Sequence, residues 1–210
     1  MTFEAIGGGI DTVHADVTVP NAGVYLYANV ENLILEGTTA FGVGNELDNV
    51  LTGSASGNWL LGGAGNDTIN GMGGNDVLYG EAGNDTFVFG PGNGGDVIGD
   101  FTSGQDHIQL IGQYANFAEL QTHFVQNGNV GAIDLGGGNL IVLHNVTMNN
   151  LTAADFIFAA VAEPAPKRGP PVMETLGDWG GGGRAALFAD AIQFGSDELH
   201  WQRPQAETFI

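Results

Sequence analysis

The sequence predicts an all-β fold, a solenoid of short strands joined by tight turns. Three observations predict it. From Gly44 the chain reads in nines, GNELDNVLT, GSASGNWLL, GGAGNDTIN, GMGGNDVLY and GEAGNDTFV, beginning at Gly44, Gly53, Gly62, Gly71 and Gly80. The eighth residue of every block is apolar: Leu51, Leu60, Ile69, Leu78 and Phe87. Glycine makes up 36 of the 210 residues, too many for ordinary helical packing.

Nine is neither a helical nor a hairpin period. It suits a turn of about six residues followed by a strand of about three, whose alternation sends the central side chain to one face. One apolar residue per block then fills the core of the stack. A turn that bends the chain back so sharply needs positive φ at several positions, where glycine has no Cβ to clash.

Charge narrows the function. The formal net charge is −20, and all four basic residues (Lys167, Arg168, Arg184, Arg203) follow residue 166. Residues 1–166 carry 18 of the 24 acids and no Lys or Arg. A segment with that many unpaired carboxylates repels itself and resists compaction. It needs counter-charge from elsewhere, and bound metal cations are the economical source. The same imbalance argues against nucleic acid and anionic membrane surfaces as partners. With no cysteine there is no disulfide, thiolate zinc site or thiol nucleophile. No apolar run reaches the length of a membrane span, and residues 1–20 lack the charged and apolar regions of a cleavable signal peptide.

The sixth position of the blocks is Asn49, Asn58, Asp67, Asp76 and Asp85. Carboxylates together with carbonyls turned inward by the glycines make a nest of hard oxygens. That nest suits Ca²⁺, which takes about six to eight oxygen ligands, better than Mg²⁺, which demands strict octahedral geometry.

GGAGNDTIN at 62–70 fits the pattern G-G-x-G-x-D-x-U-x, and the next two blocks fit with Met72 and Glu81 in place of the second glycine. This run resembles the haemolysin-type (RTX) calcium-binding repeat that is also found beside serralysin and alginate-epimerase catalytic domains. The resemblance implies a right-handed parallel β-roll with two nonapeptides per turn, calcium between stacked turns, and residues 18 apart on one side. It implies a best site that joins Gly63, Gly65 and Asp67 to Gly80, Ala82 and Asp85. Poorer sites follow where Asp76, with Gly74, stacks on Asn58, and where Asp67 stacks on Asn49, since an amide oxygen adds no charge. Asp96, Asp100 and Asp106, in DVIGDFTSGQD, resemble the step that ends the roll in serralysin C-terminal domains and are expected to help hold the last ions.

The flanks extend this scheme. Residues 1–43 read as irregular turns of the same solenoid, with short strands around Val13, Val17, Val19 and Val24 broken at Pro20, and 44–106 form the roll. Residues 107–162 read as a C-terminal cap. They contain a short helix in 115–124 with Phe117, Leu120 and Phe124 on one face, a hairpin about Gly136–Gly138, and a closing LTAADFIF. That last stretch opens either a helix capped by Thr152 or a final strand. A cap is required physically, because an open solenoid end exposes apolar core and unpaired strand edges. Residues 163–210 begin with AEPAPKRGPPV, a Pro-rich linker, and continue as a weakly ordered tail.

Enzyme motifs are absent. The five histidines form no H-E-x-x-H, and there is no G-x-S-x-G and no phosphate loop. The chain itself is therefore expected to be non-catalytic. The resemblance implies a secreted bacterial protein that leaves by type I secretion and folds on several calcium ions outside the cell. Two alternatives are the C-terminal piece of a larger secreted protease, epimerase or lyase, and a calcium-dependent surface or adhesion protein that self-associates. Trp59, at the seventh position of its block, is expected to face solvent, where carbohydrate contact is the minor reading.

Overall fold

In the computed structural model, residues 9–16, 23–38 and 40–160 are described. They form a parallel β-solenoid of about five turns that ends in a mixed sheet. Each turn contributes one strand to each of two sheets, so strands adjacent in the chain lie in opposite sheets and strands two apart are hydrogen-bonded. One sheet runs Thr12–Asp16, Asn32–Glu36, Val50–Thr52, Thr68–Asn70, Thr86–Phe89, His107–Ile111 and Phe156–Ala159, and all of its pairings are parallel. The other runs Gly23–Tyr25, Phe41–Val43, Trp59–Ala64, Val77–Ala82 and Gly95–Ile98, again in parallel.

The nonapeptide period sets the register. Leu33 pairs with Leu51, Leu51 with Ile69 and Ile69 with Phe87 in the first sheet, and Leu60 with Leu78 in the second, each step being one 18-residue turn. All five eighth-position side chains, Leu51, Leu60, Ile69, Leu78 and Phe87, have zero exposure. Their neighbours alternate outward, and Val50 and Trp59 are 44% and 46% exposed. The core is thus a narrow file of single apolar residues, one per short strand, because a three-residue strand has only one inward side chain. The described strands before residue 44 follow the same plan: Ala15, Leu33 and Leu35 are buried, and Val13 pairs with Leu33, while the strands expected around Val17 and Val19 lie outside the described residues.

Outside the second sheet Tyr25, Phe41, Trp59 and Tyr79 stand in one row, with ring centroids 6.4, 5.8 and 6.5 Å apart. Phe41 and Trp59 pair one turn apart, while Tyr25 and Tyr79 sit two residues along their strands from the paired positions and face the same way because side chains alternate with a period of two.

Beyond Phe89 the period breaks. Ile98 pairs with Leu78 and Ile108 with Phe87, so two and three residues respectively are added to the 18-residue step. The first two extra residues fall between Phe87 and Ile98, at the Pro91–Gly92 turn, and the third between Ile98 and Ile108, at the Thr102–Gln105 turn; the core file continues through Ile98 and Ile108 at zero exposure.

The end is closed by a cap. Phe117–Leu120 is a single α-turn with Asn116 as N-cap, its Oδ1 accepting from the Glu119 N–H at 3.0 Å. The helix gives way at Gln121–His123 to a 3₁₀ turn, and Phe124–Asn127 is already a strand. The expected hairpin is Val130–Gly136 with Asn139–His144, and Gly136, Gly137 and Gly138 all take positive φ between the two strands. It docks through Asn139–His144, parallel to Gly95–Ile98. Both readings of LTAADFIF are realised in sequence. Thr152 caps a 3₁₀ turn over Ala153–Asp155, and Phe156–Ala159 then adds the last strand beside His107–Ile111. Phe117, Phe124, Phe156 and Phe158 cover the end of the core, with ring centroids 5.5 to 6.3 Å apart. The expected linker and tail, 163–210, lie outside the described residues.

The single-file core makes a sharp prediction. Ile69→Ala should cost about 2–5 kcal/mol in thermal or denaturant unfolding, because the flat strands on either side cannot collapse into the cavity. Val50→Ala, one face away, should stay within about 0.5 kcal/mol of the parent.

Candidate metal centre

The sixth-position residues form two lines along the stack. Asn49, Asp67, Asp85 and Asp106 stand at the starts of strands of the first sheet, and Asn58, Asp76 and Asp96 at the starts of strands of the second. Each backbone N–H donates to the carboxylate one turn on. Asn49 donates to Asp67 Oδ1 at 2.7 Å, Asp67 to Asp85 Oδ1 at 2.9 Å and Asp85 to Asp106 Oδ1 at 3.0 Å. In the other line Asn58 donates to Asp76 Oδ1 at 2.7 Å and Asp76 to Asp96 Oδ1 at 2.9 Å. All seven residues are buried, the most exposed at 5%.

This accounts for one oxygen of each carboxylate. The second differs from site to site. Asp67 Oδ2 and Asp76 Oδ2 are buried and meet no donor. A Cβ added to Gly62 would run into Asp67 Oδ2 and come within 2.7 Å of the Gly80 carbonyl oxygen, so these two oxygens share the space in front of Gly62. Gly71 and Gly80 stand in the same way against Asp76 Oδ2 and Asp85 Oδ2. Glycine begins each block because a side chain there would fill the space beside the carboxylate.

The other expected residues are placed as follows. Gly63, Gly65 and Gly74 are left-handed, with φ of 110°, 112° and 114°. Ala82 lies beside Ala64, and its carbonyl accepts from the Gly65 N–H at 3.0 Å. Asp106 has both oxygens engaged, the second by the Thr102 N–H at 2.8 Å. Asp100 stands apart from the two lines; it accepts from the N–H groups of Gly80 and Glu81 at 3.1 and 2.8 Å. Asn49 and Asn58 meet Asp67 and Asp76 through their backbone N–H groups. Among the described residues no three His, Asp or Glu side chains gather at one point. The oxygen set is one or two carboxylates with main-chain carbonyls.

One buried carboxylate was not anticipated. Asp155 accepts from Ser103 Oγ at 2.9 Å, the Gly104 N–H at 2.8 Å, the Thr152 N–H at 2.7 Å and Thr152 Oγ1 at 2.9 Å. Burial pushes its pKa up, but these donors outweigh burial and hold it below the usual carboxylate range. It ties the end of the roll to the cap. The signal was T-x-x-D, a capping box at Thr152.

The stacked carboxylates behave oppositely. Asp67 is pushed up to about 7, first by burial and then by Asp85, Asp48 and Glu81, against the Asn49 N–H, which lowers it. Asp96 is likewise raised to about 7 and Asp76 to about 6, burial again leading. Asp85 and Asp106 are raised for the same reason. Charging such a group inside the stack costs on the order of a few kcal/mol unless a cation meets it. The bare Oδ2 atoms therefore fit a hard divalent cation.

The pH dependence follows. These groups titrate near pH 4 when unfolded and near 6 to 7 when folded without a cation, so between those values the folded chain holds more protons. Stability must then fall as pH rises through that window. Thermal melts in chelator should show a more stable roll at about pH 5 than at about pH 8. In saturating calcium, which displaces those protons from the folded state, that loss of stability should disappear.

Comparison with known proteins gives the pattern a family. The RTX calcium-binding nonapeptide repeat matches at residues 43–78 and 61–96. Curated proteins yield no match. Among solved structures, the extracellular lipase LipA from Serratia marcescens is 22% identical with a TM-score of 0.39, covering 54% of this chain and 20% of its own. The AlgE6R3 subunit of the Azotobacter vinelandii mannuronan C5-epimerase is 24% identical with a TM-score of 0.26, covering 68% of this chain and 93% of its own. This chain thus spans only a fifth of the lipase. Residues 43–96, with their nine-residue phase and stacked aspartates, are RTX haemolysin-type calcium-binding repeats.

Proposed function

We propose that this chain is an extracellular calcium-binding module whose roll folds on calcium ions held between stacked turns, and that it catalyses no reaction itself. One observation carries the reading: Asp67 Oδ2 and Asp76 Oδ2 are buried without a donor, in a segment with no Lys or Arg to neutralise them. Gly63, Gly65, Asp67, Gly80, Ala82 and Asp85 would hold the principal ion. Gly74, Asp76 and Asp96 would serve the other line, and Asp100 and Asp106 the closing turns. Calcium there supplies positive charge that neutralises the carboxylates and joins one turn to the next.

The chain's own residues do the remaining work. The first-position glycines keep the space beside each carboxylate open, and the N–H lines fix Oδ1 so that Oδ2 faces that space. Without cations the carboxylates of residues 1–166 repel one another, and an extended chain suits passage through a type I secretion channel. Outside, calcium near the millimolar range of extracellular sites shifts the balance. Each site held at ten times its Kd adds about 1.4 kcal/mol to folding, so several sites together decide whether the roll forms.

Far-UV circular dichroism tests this. The parent should gain β signal on adding millimolar calcium to the chelated chain, and the same magnesium should not reproduce the change. A spectrum unmoved by calcium would refute calcium-gated folding. Asp67→Ala with Asp85→Ala should shift the calcium midpoint at least about tenfold upward, the loss expected when a site gives up both its carboxylates.

A further inference from the structure

The five nonapeptides contain two kinds of turn, distinguished by what meets the sixth-position side chain. In the first two blocks the side chains close the turn among themselves. The second-position N–H donates to the sixth-position amide oxygen, Asn45 to Asn49 Oδ1 at 2.7 Å and Ser54 to Asn58 Oδ1 at 2.6 Å. The fourth-position N–H is taken by the second-position side chain, Leu47 by Asn45 Oδ1 at 2.9 Å and Ser56 by Ser54 Oγ at 3.2 Å. Amide nitrogens satisfy the carbonyls of the preceding turn. Asn49 Nδ2 donates to Val30 and Glu31 at 3.2 and 3.1 Å, and Asn45 Nδ2 to Tyr27 and Val30 at 2.8 and 2.7 Å.

The next three blocks differ at the same positions. Their second residues are left-handed, Gly63 at φ 110°, Met72 at 68° and Glu81 at 67°, and so are their fourth, Gly65 at 112°, Gly74 at 114° and Gly83 at 152°. Asn45, Leu47, Ser54 and Ser56 are not left-handed. In that conformation the second-position N–H leaves its own turn's carboxylate: Met72 donates to Asn70 Oδ1 at 2.9 Å and Glu81 to Asp100 Oδ2 at 2.8 Å. Yet the sixth-position oxygens occupy equivalent places. A Cβ on Gly44 or Gly53 would meet Asn49 or Asn58 Oδ1, just as one on Gly62 or Gly71 would meet Asp67 or Asp76 Oδ2. The amide oxygen in that place has an N–H partner, and the carboxylate oxygen has none.

An amide carries donors as well as an acceptor, whereas an ionised carboxylate only accepts. From this contrast we propose that the turns headed by Gly44 and Gly53 are closed by their own amides and hold no ion between their second, fourth and sixth residues, so that calcium dependence of the roll begins at Gly62. The proposal rests on the calcium reading above and restricts it to particular turns. It removes Asn49 and Asn58 from the ligands and gives them the place an ion takes further on.

Counting ions tests it. The full chain is dialysed to equilibrium against saturating calcium chloride and its bound calcium measured by metal analysis. Asn49→Ala with Asn58→Ala should keep the parent's ion count, and Asp67→Asn with Asp76→Asn should lower it. A folded asparagine-to-alanine variant that loses ions overturns the proposal. Should that variant not fold, a second one decides. Asn45→Gly, Leu47→Gly and Asn49→Asp rebuild the first block on the pattern of 62–67, and its ion count should exceed the parent's. An unchanged count would mean that the parent turn already held an ion. A parent that binds no calcium would dispose of the preceding reading, whereas one that binds calcium and loses it with its asparagines disposes of this one alone.

Discussion

Carboxylates stacked inside the molecule with no basic side chain to meet them are the constraint on which the rest of the structure depends. Asp67, Asp76, Asp85, Asp96 and Asp106 are nearly fully buried, and no Lys or Arg precedes residue 167. Backbone N–H groups satisfy one oxygen of each, and both of Asp106, which fixes the side chains in line but leaves their charge largely uncompensated. The apolar core cannot carry that charge alone, since it gains only one inward side chain per short strand. Core and carboxylates are therefore interdependent: the file of Leu51, Leu60, Ile69, Leu78 and Phe87 packs only when the turns stack, and stacking the turns brings the carboxylates into line.

A solenoid built this way has ends, and ends expose strand edges. The described cap solves this with different chemistry. Four phenylalanines cover the core file, and a strand pairing restored by Phe156–Ala159 covers the edge of the first sheet. Asp155 is the counterpart of the stacked aspartates. It is closed off from solvent like them, but two backbone N–H groups and two hydroxyls satisfy it, and its pKa falls rather than rises. Asp155 meets four donors where the Asp67 carboxylate meets one, and it lies less deep, so donors and depth together decide whether a buried carboxylate here is at rest.

The same rule separates the asparagine turns from the aspartate turns. One nitrogen in place of one oxygen changes a side chain that needs an external positive charge into one that closes its own turn. The asparagine turns lie between the earlier strands and the aspartate turns and pair with both, much as one repeat supports the next in other solenoids.

Much of this was legible in the residues. The nine-residue phase and the apolar eighth position reveal the parallel solenoid and its core, because each block carries its whole local structure. For the same reason the glycines and sixth-position aspartates mark the turns whose carboxylates stack, and Gly136–Gly138 and Thr152 mark the hairpin and the cap. Register beyond Phe89 was not legible. The turns at Pro91–Gly92 and Thr102–Gln105 add two residues and then one, and only pairing across the sheet shows that Asp96 and Asp106 rejoin the two lines while Asp100 does not. Nor could the sequence alone show which carboxylate oxygen is bare. That is set by the φ of the second residue and by a partner one whole turn away. The sequence by itself determined the repeat, the core and the charge that must be met. The tertiary structure decided where that charge sits and what meets it, because hydrogen bonds between turns join residues that no nine-residue window contains.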